Sequence, residues 1–162
     1  MPKLTEDTKK KLLDSSFNYE FFNLRFSFYK MLETGTHTLT GDINDFQNTA
    51  LVDFLVHTKI FYEFFYGNPN SKSKAHAGHY IKSWEDKQPP KDIEEWKDRI
   101  NIFLSPLSYV RVTEEYKRYP IDFLYEHFRG LVIDFLKELP EEYEIIGLKR
   151  LLENLKEDEQ KG

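Results

Sequence analysis

Five histidines, a scatter of arginines and no cysteine are what this 162-residue chain offers for chemistry. His76 and His79 stand three apart in His-Ala-Gly-His. That spacing puts two imidazoles on one face if the segment is helical, but it supplies only part of the ligand set a zinc ion needs. A third ligand would have to come from His37, His57, His127 or a carboxylate, and neither a His-Glu-x-x-His pattern nor a Glu-x-x-His pair of the di-iron type is present. The plainer reading of His76 and His79 is a solvated loop, and no metal or other cofactor is expected.

His57 falls on the apolar stripe of a helical segment. A histidine there is usually a neutral core residue whose ring nitrogen bonds a neighbouring side chain or carbonyl. Catalysis would need a carboxylate partner such as Glu63 or Asp53, six and four positions away, and neither shares its face cleanly. Arg99, Arg111 and Arg118, with Lys117, suit anion or RNA binding, because a guanidinium fork matches phosphate. The simpler expectation pairs Arg99 and Arg111 with surface carboxylates and packs Tyr109 with its hydroxyl outward. A net charge of −5, from 23 basic and 28 acidic residues, argues against a whole-surface nucleic-acid binder.

The run His57-Thr58-Lys59-Ile60-Phe61-Tyr62-Glu63-Phe64-Phe65-Tyr66, followed further along by Arg99-Ile100-Asn101 and Leu107-Ser108-Tyr109-Val110-Arg111, resembles a group of uncharacterised bacterial helical proteins. That group in turn resembles the HEPN superfamily, helical bundles that include toxin ribonucleases and nucleotide-binding relatives. The resemblance spans residues 46–139. HEPN ribonucleases carry an Arg, a polar residue after it in many members, and a His a few positions on. By position Arg99 matches the Arg, Ile100 is apolar, and Pro106 stands where the His would fall. A proline has no proton to move, so the resemblance implies a bundle that often dimerises and casts doubt on RNA cleavage. Any displaced catalytic site would draw on Arg99, His57, His127 and Arg111.

The elements that would position these residues are helices. Phe17, Phe21, Leu24, Phe28 and Met31 form one apolar stripe and predict a first helix from about Glu6 to Leu32, stopped at Thr34-Gly35. Asp42 or Asn44 can cap a second helix with the stripe Phe46, Ala50, Phe54, His57, Phe61 and Phe64, ending near Tyr66-Gly67. The segment 67–90 reads as the least regular and most mobile, with a short helix around His79 to Trp84. A third helix begins at Asp92 with Ile93, Trp96, Ile100 and Phe103 on one face, and breaks or bends at Pro106. Pro120 opens a fourth, with Leu124, Phe128, Leu131, Phe135 and Leu139, and Pro140 ends it. A last helix, about Glu141 to Lys156, carries Ile145, Leu148, Leu152 and Leu155.

These amphipathic helices predict an all-α fold, an antiparallel, up-and-down bundle of four to five helices, with 1–162 as a single domain. Aromatic residues make up 16% of the chain, 14 Phe and 10 Tyr, so the core should be built largely of rings. The opening MPKLTEDTKKKLLDSS has no apolar signal region, and no run approaches the roughly 20 apolar residues of a spanning helix, so a cytoplasmic protein without a membrane partner is expected. The second helix carries Leu51, Leu55, Tyr62, Phe65 and Tyr66 off its main stripe. One bundle face cannot bury both sets, which predicts a homodimer through helix two. The expected function is interaction with a protein partner without catalysis. The alternatives are a HEPN-like ribonuclease or nucleotide or RNA binder, and a small-molecule or metal binder using His76 and His79.

Overall fold

The computed structural model describes residues 5–34, 45–71, 73–105, 119–143 and 145–161. These residues form five helices, with short 3-10 turns between the second and third and between the fourth and fifth, and no strand among them. Helix α1 (6–34) is α-helical over Glu6–Lys11, π-helical over Leu12–Phe17 and α-helical again over Asn18–Thr34. Helix α2 is Asp45–Tyr66, α3 is Lys91–Leu104, α4 is Ile121–Glu138 and α5 is Ile146–Lys161. Thr5 starts α1 by accepting a hydrogen bond from the Thr8 backbone N–H at 3.2 Å, which satisfies one donor the first turn leaves open.

The π segment follows from the spacing of α1's buried residues. Leu13, Phe17, Phe21, Leu24, Phe28 and Met31 all lie in the core, so the stripe opens with two successive four-residue steps. In an α-helix of 3.6 residues per turn each such step overshoots by about 40°. The wider i→i+5 winding of Leu12–Phe17 turns less per residue and brings Leu13 back into line with Phe17 and Phe21.

Cross-helix contacts fix the directions. Phe17 meets Phe61 and Phe64 while Phe28 meets Phe54, so α1 and α2 are antiparallel. Phe17 meets Phe135 while Phe28 stacks on Tyr125 at 4.0 Å, so α4 is antiparallel to α1 and parallel to α2. The Arg129 guanidinium donates to the Leu155 carbonyl at 2.9 Å across the short turn between α4 and α5. Helices α1, α2 and α4 make the central trio. Its middle is a triangle of rings, with Phe17 to Phe64 at 5.3 Å, Phe17 to Phe135 at 5.5 Å and Phe64 to Phe135 at 5.3 Å. The interplanar angles of 62° and 88° at Phe64 bring ring edges onto ring faces, the arrangement the aromatic quadrupole favours.

Two expectations need correcting. The segment 67–90 is not a loosely solvated loop: it folds into 3-10 turns at Ala77–His79 and Lys82–Trp84 and buries His76, Ala77, Gly78, Tyr80 and Trp84. A Cβ on Gly78 would lie 2.8 Å from the Glu85 Cα, so the two turns approach too closely for any side chain there. The Trp84 indole N–H donates to Glu138 at 2.8 Å and ties this segment to the end of α4. The last helix also starts later than its acidic residues suggest, since Glu141–Tyr143 is a separate 3-10 turn. The Tyr143 hydroxyl donates to Glu6, and Lys9 reaches the same carboxylate at 2.8 Å, latching the start of α1 to this turn. Both contacts hold the Glu6 carboxyl below its usual range, the lysine first.

Candidate functional site

Among the described residues singled out by type and spacing, His57 meets Asp53 and His76 meets His79. His57 is buried on α2 between two carboxylates: Nδ1 lies 2.6 Å from Glu20 on α1 and Nε2 lies 3.3 Å from Asp53. Asp53, four positions earlier on the same helix, does reach it, contrary to the expectation that it would not share the face. A four-residue step leaves two side chains on neighbouring positions of the helix surface. Glu20 was not visible from spacing, because it comes from a different helix. No acceptor or nucleophile beyond these carboxylates touches the ring among the described contacts, so the cluster reads as an interhelical clamp.

His127 lies on α4 with its Nε2 3.0 Å from the Tyr66 hydroxyl and its ring stacked on Tyr66. Burial pulls its pKa below the ordinary value, with Asp92 opposing. Burial likewise pushes the Tyr66 hydroxyl up to about 12. Arg99 lies on α3 with its guanidinium 4.3 Å above the Trp96 ring, a cation–π placement. Arg111, Arg118, Lys117, Tyr109, Pro106 and His37 lie outside the described residues, as do Asp42 and Asn44.

His76 and His79 are both hydrogen-bonded to backbone. The Gly78 N–H donates to His76 Nδ1 at 3.0 Å, and the His76 N–H donates to His79 Nδ1 at 3.3 Å. The other nitrogen of His79 bonds the Pro69 carbonyl at 2.7 Å, and His76 also hydrogen-bonds backbone at Gly67. Both rings are therefore committed to capping a 3-10 turn and pinning it to the end of α2. Burial, then the neighbouring His79, lower the His76 pKa, while Glu85 works the other way. No group of three or more metal-ligating side chains occurs among the described residues.

What the structure adds is a groove of about 530 Å³ between the first half of α1 and the outer side of α2. Leu12, Phe17, Val56, Ile60, Phe61 and Phe64 make its apolar surface, and Leu104 of α3 closes one flank. Glu20, Lys59, Glu63 and Lys74 stand at its rim. The π segment forms part of the wall through Leu12, Ser16 and Phe17. No protein-family model, curated protein or solved structure matches the chain.

A second surface lies on the outer side of α1. Tyr19, Phe22, Phe26 and Tyr29 are 62%, 64%, 51% and 42% exposed, at three-four-three spacing and roughly opposite the buried stripe. Phe22 and Phe26 stack on each other at 6.1 Å without reaching the core. The second set on α2 shows the reverse. Leu51, Leu55, Tyr62 and Phe65 are buried within the chain and Tyr66 is half-buried. α2 is covered by α1 on one side, by α3 and α4 on another and by Trp84 at its end, so the counting that pointed to a dimer through helix two does not hold. No described helix is long and apolar enough to cross a membrane.

Proposed function

We propose that the chain works by protein interaction without catalysis, and that it self-associates through the outer face of α1. One observation carries this reading: α1 has two aromatic stripes, and the rings of the bundle meet the outer one only at Tyr29, against Phe28 and Tyr125, among the described contacts. Taking 150–250 Å² for a whole aromatic residue, the four exposed rings offer roughly 330–550 Å² per copy. Two copies then bury about 700–1,100 Å², and flanking residues supply the rest of the roughly 1,200 Å² at the low end of specific interfaces.

The three-four-three spacing is that of a coiled-coil seam, with Tyr19 and Phe26 at one core position and Phe22 and Tyr29 at the other. Both directions set like charges side by side. A parallel pair puts Arg25 against Lys30 of the other copy. An antiparallel pair centred between Phe22 and Phe26 puts Arg25 against Arg25 of the other copy, because equivalent flanks face each other across such a two-fold. Either two-fold closes the assembly at two copies.

Sedimentation equilibrium tests it. The wild type should weigh twice the 19.5 kDa chain at tens of micromolar, and the Phe22→Ser/Phe26→Ser variant should weigh one chain with an unchanged melt. A wild type that stays at one chain mass to a few hundred micromolar refutes the proposal. The ribonuclease reading implied by the HEPN resemblance is not the one preferred, because among the described contacts Arg99 meets Trp96, His57 meets Glu20 and Asp53, and His127 meets Tyr66. RNA cleavage abolished by Arg99→Ala would revive it.

A further inference from the structure

We infer that the groove between α1 and α2 is a binding site for a free single-chain amphiphile, an acyl chain of about ten carbons bearing an anionic head that rests on Lys59. The reasoning is independent of the self-association proposed above, because the aromatic stripe lies on a different face of α1.

Shape is the first ground. The groove follows α1 from Leu12 to Glu20 and α2 from Val56 to Phe64. At 1.5 Å per residue each wall is about 12 Å long. An extended chain of roughly ten carbons, with bonds near 1.5 Å, spans that length. The volume falls within the range of small-molecule sites, and an apolar floor of this kind has no hydrogen bonds to offer water. Val56 and Ile60 remain 37% and 38% exposed over a floor of buried Phe17, Phe61 and Phe64, so apolar surface is left open where a chain would cover it.

Charge is the second ground, and it picks the head group. Of the four charged residues at the rim, Glu63 is paired with Lys74 at 2.9 Å, and Glu20 is held by His57 at 2.6 Å. Lys59 sits one helical turn before Glu63, within reach of an i, i+4 pair, yet Glu63 turns to Lys74 instead. Lys59 makes no ion pair among the described residues, so it is the one charged side chain of this rim without a partner, and it stands beside an apolar trough. A carboxylate or phosphate on a single acyl chain complements both features. A concave trough of this size takes one chain, so the source is a soluble amphiphile and not a bilayer.

The test uses the full chain with decanoate and decan-1-ol, each below its aggregation limit, followed by methyl NMR. Decanoate should give saturable one-to-one shifts confined to Leu12, Val56, Ile60 and Leu104. Lys59→Gln should weaken decanoate about fivefold, the scale of one exposed charge pair, and leave decan-1-ol within twofold. Ile60→Trp, at a position with room to grow outward, should abolish both ligands while the melting temperature stays at the wild-type value. Should Ile60→Trp unfold the chain, Val56→Trp serves the same purpose. Absence of saturation, equal decanoate affinity in Lys59→Gln, or undiminished binding in a folded groove-filled variant would each overturn the site. So would binding to phosphatidylcholine–phosphatidylglycerol vesicles with no response to decanoate, which would make the surface a membrane contact.

Discussion

Phe65→Ala is the substitution that most directly tests how α2 is buried. The side chain is fully buried, with ring neighbours Phe61 at 6.0 Å, Phe64 at 5.1 Å, Trp84 at 5.5 Å and Phe135 at 6.0 Å. These neighbours come from α2, the 67–90 segment and α4, so they cannot all close on the space a missing ring leaves. Truncating a buried phenylalanine costs about 3–5 kcal/mol. At about 2–4 °C per kcal/mol for a chain of this size, 4 kcal/mol lowers the melting temperature by roughly 8–16 °C. Phe65→Glu adds the burial of an unpaired carboxylate, several kcal/mol more, and together these approach the whole stability of an ordinary domain. Thermal melts by circular dichroism, with urea unfolding as a second measure, read both variants. Phe65→Ala should melt far lower and Phe65→Glu should be unfolded, whereas Phe22→Glu, on the outer face of α1, should keep a cooperative native melt. A folded Phe65→Glu chain with a near-wild-type melt would show that this face of α2 is not core and would restore it as an interface.

Gly78→Ala should destabilise by about 1–3 kcal/mol in urea unfolding, because its methyl meets the Glu85 Cα and backbone N as well as its Cγ, and the backbone atoms cannot swing away. The Tyr125 hydroxyl is buried with no hydrogen-bond partner among the described residues, and burial raises its pKa, so Tyr125→Phe should be neutral or stabilising by up to about 1 kcal/mol in the same assay. Burial holds His76 and His127 below the ordinary histidine pKa, so below about pH 6.5 the unfolded chain takes up protons that the folded chain resists. Their contribution is therefore complete above that value and is lost as pH falls; the melting temperature should drop between pH 7 and pH 5, and His76→Asn with His127→Gln should flatten that slope. A double-mutant cycle on Glu20→Gln and His57→Gln should show coupling of about 0.5–3 kcal/mol, and additive effects would remove the clamp.

Helix periodicity was legible wherever one stripe faces one core. Phe17, Phe21, Leu24, Phe28 and Met31 were readable as buried, as were Phe54, Phe61 and Phe64, because their spacing alone defines a face. It misled on α2, where Leu51, Leu55 and Phe65 gave the impression of a surplus face. A central helix has partners on several sides, and the number of partners is a property of the assembly and not of the helix. The outer stripe of α1 was equally available at Tyr19, Phe22, Phe26 and Tyr29. Spacing alone does not separate it from ordinary surface positions once one good stripe accounts for the helix. Glu20 could not be tied to His57 by any spacing rule, since their meeting depends on how α1 and α2 register against each other. His76 and His79 read as a solvated loop, because spacing does not show that their ring nitrogens accept backbone N–H groups of a buried turn.

The π-helical turn also bears on which insertions and deletions this chain tolerates. With steps of four, four, three, four and three from Leu13 to Met31, α1 holds one residue more than a regular seven-residue repeat requires. Removing Ser15 would turn the first step into three and leave the unbroken alternation that an ordinary α-helix satisfies. The turn thus behaves as an absorbed insertion: the residues on either side already hold the angular positions they would have without it. A one-residue deletion inside most helices swings everything beyond it by about 100° and scrambles the core. Here the same deletion should leave Glu6 against Tyr143 and Phe17 in its ring triangle, and change the wall of the groove at Ser16 instead.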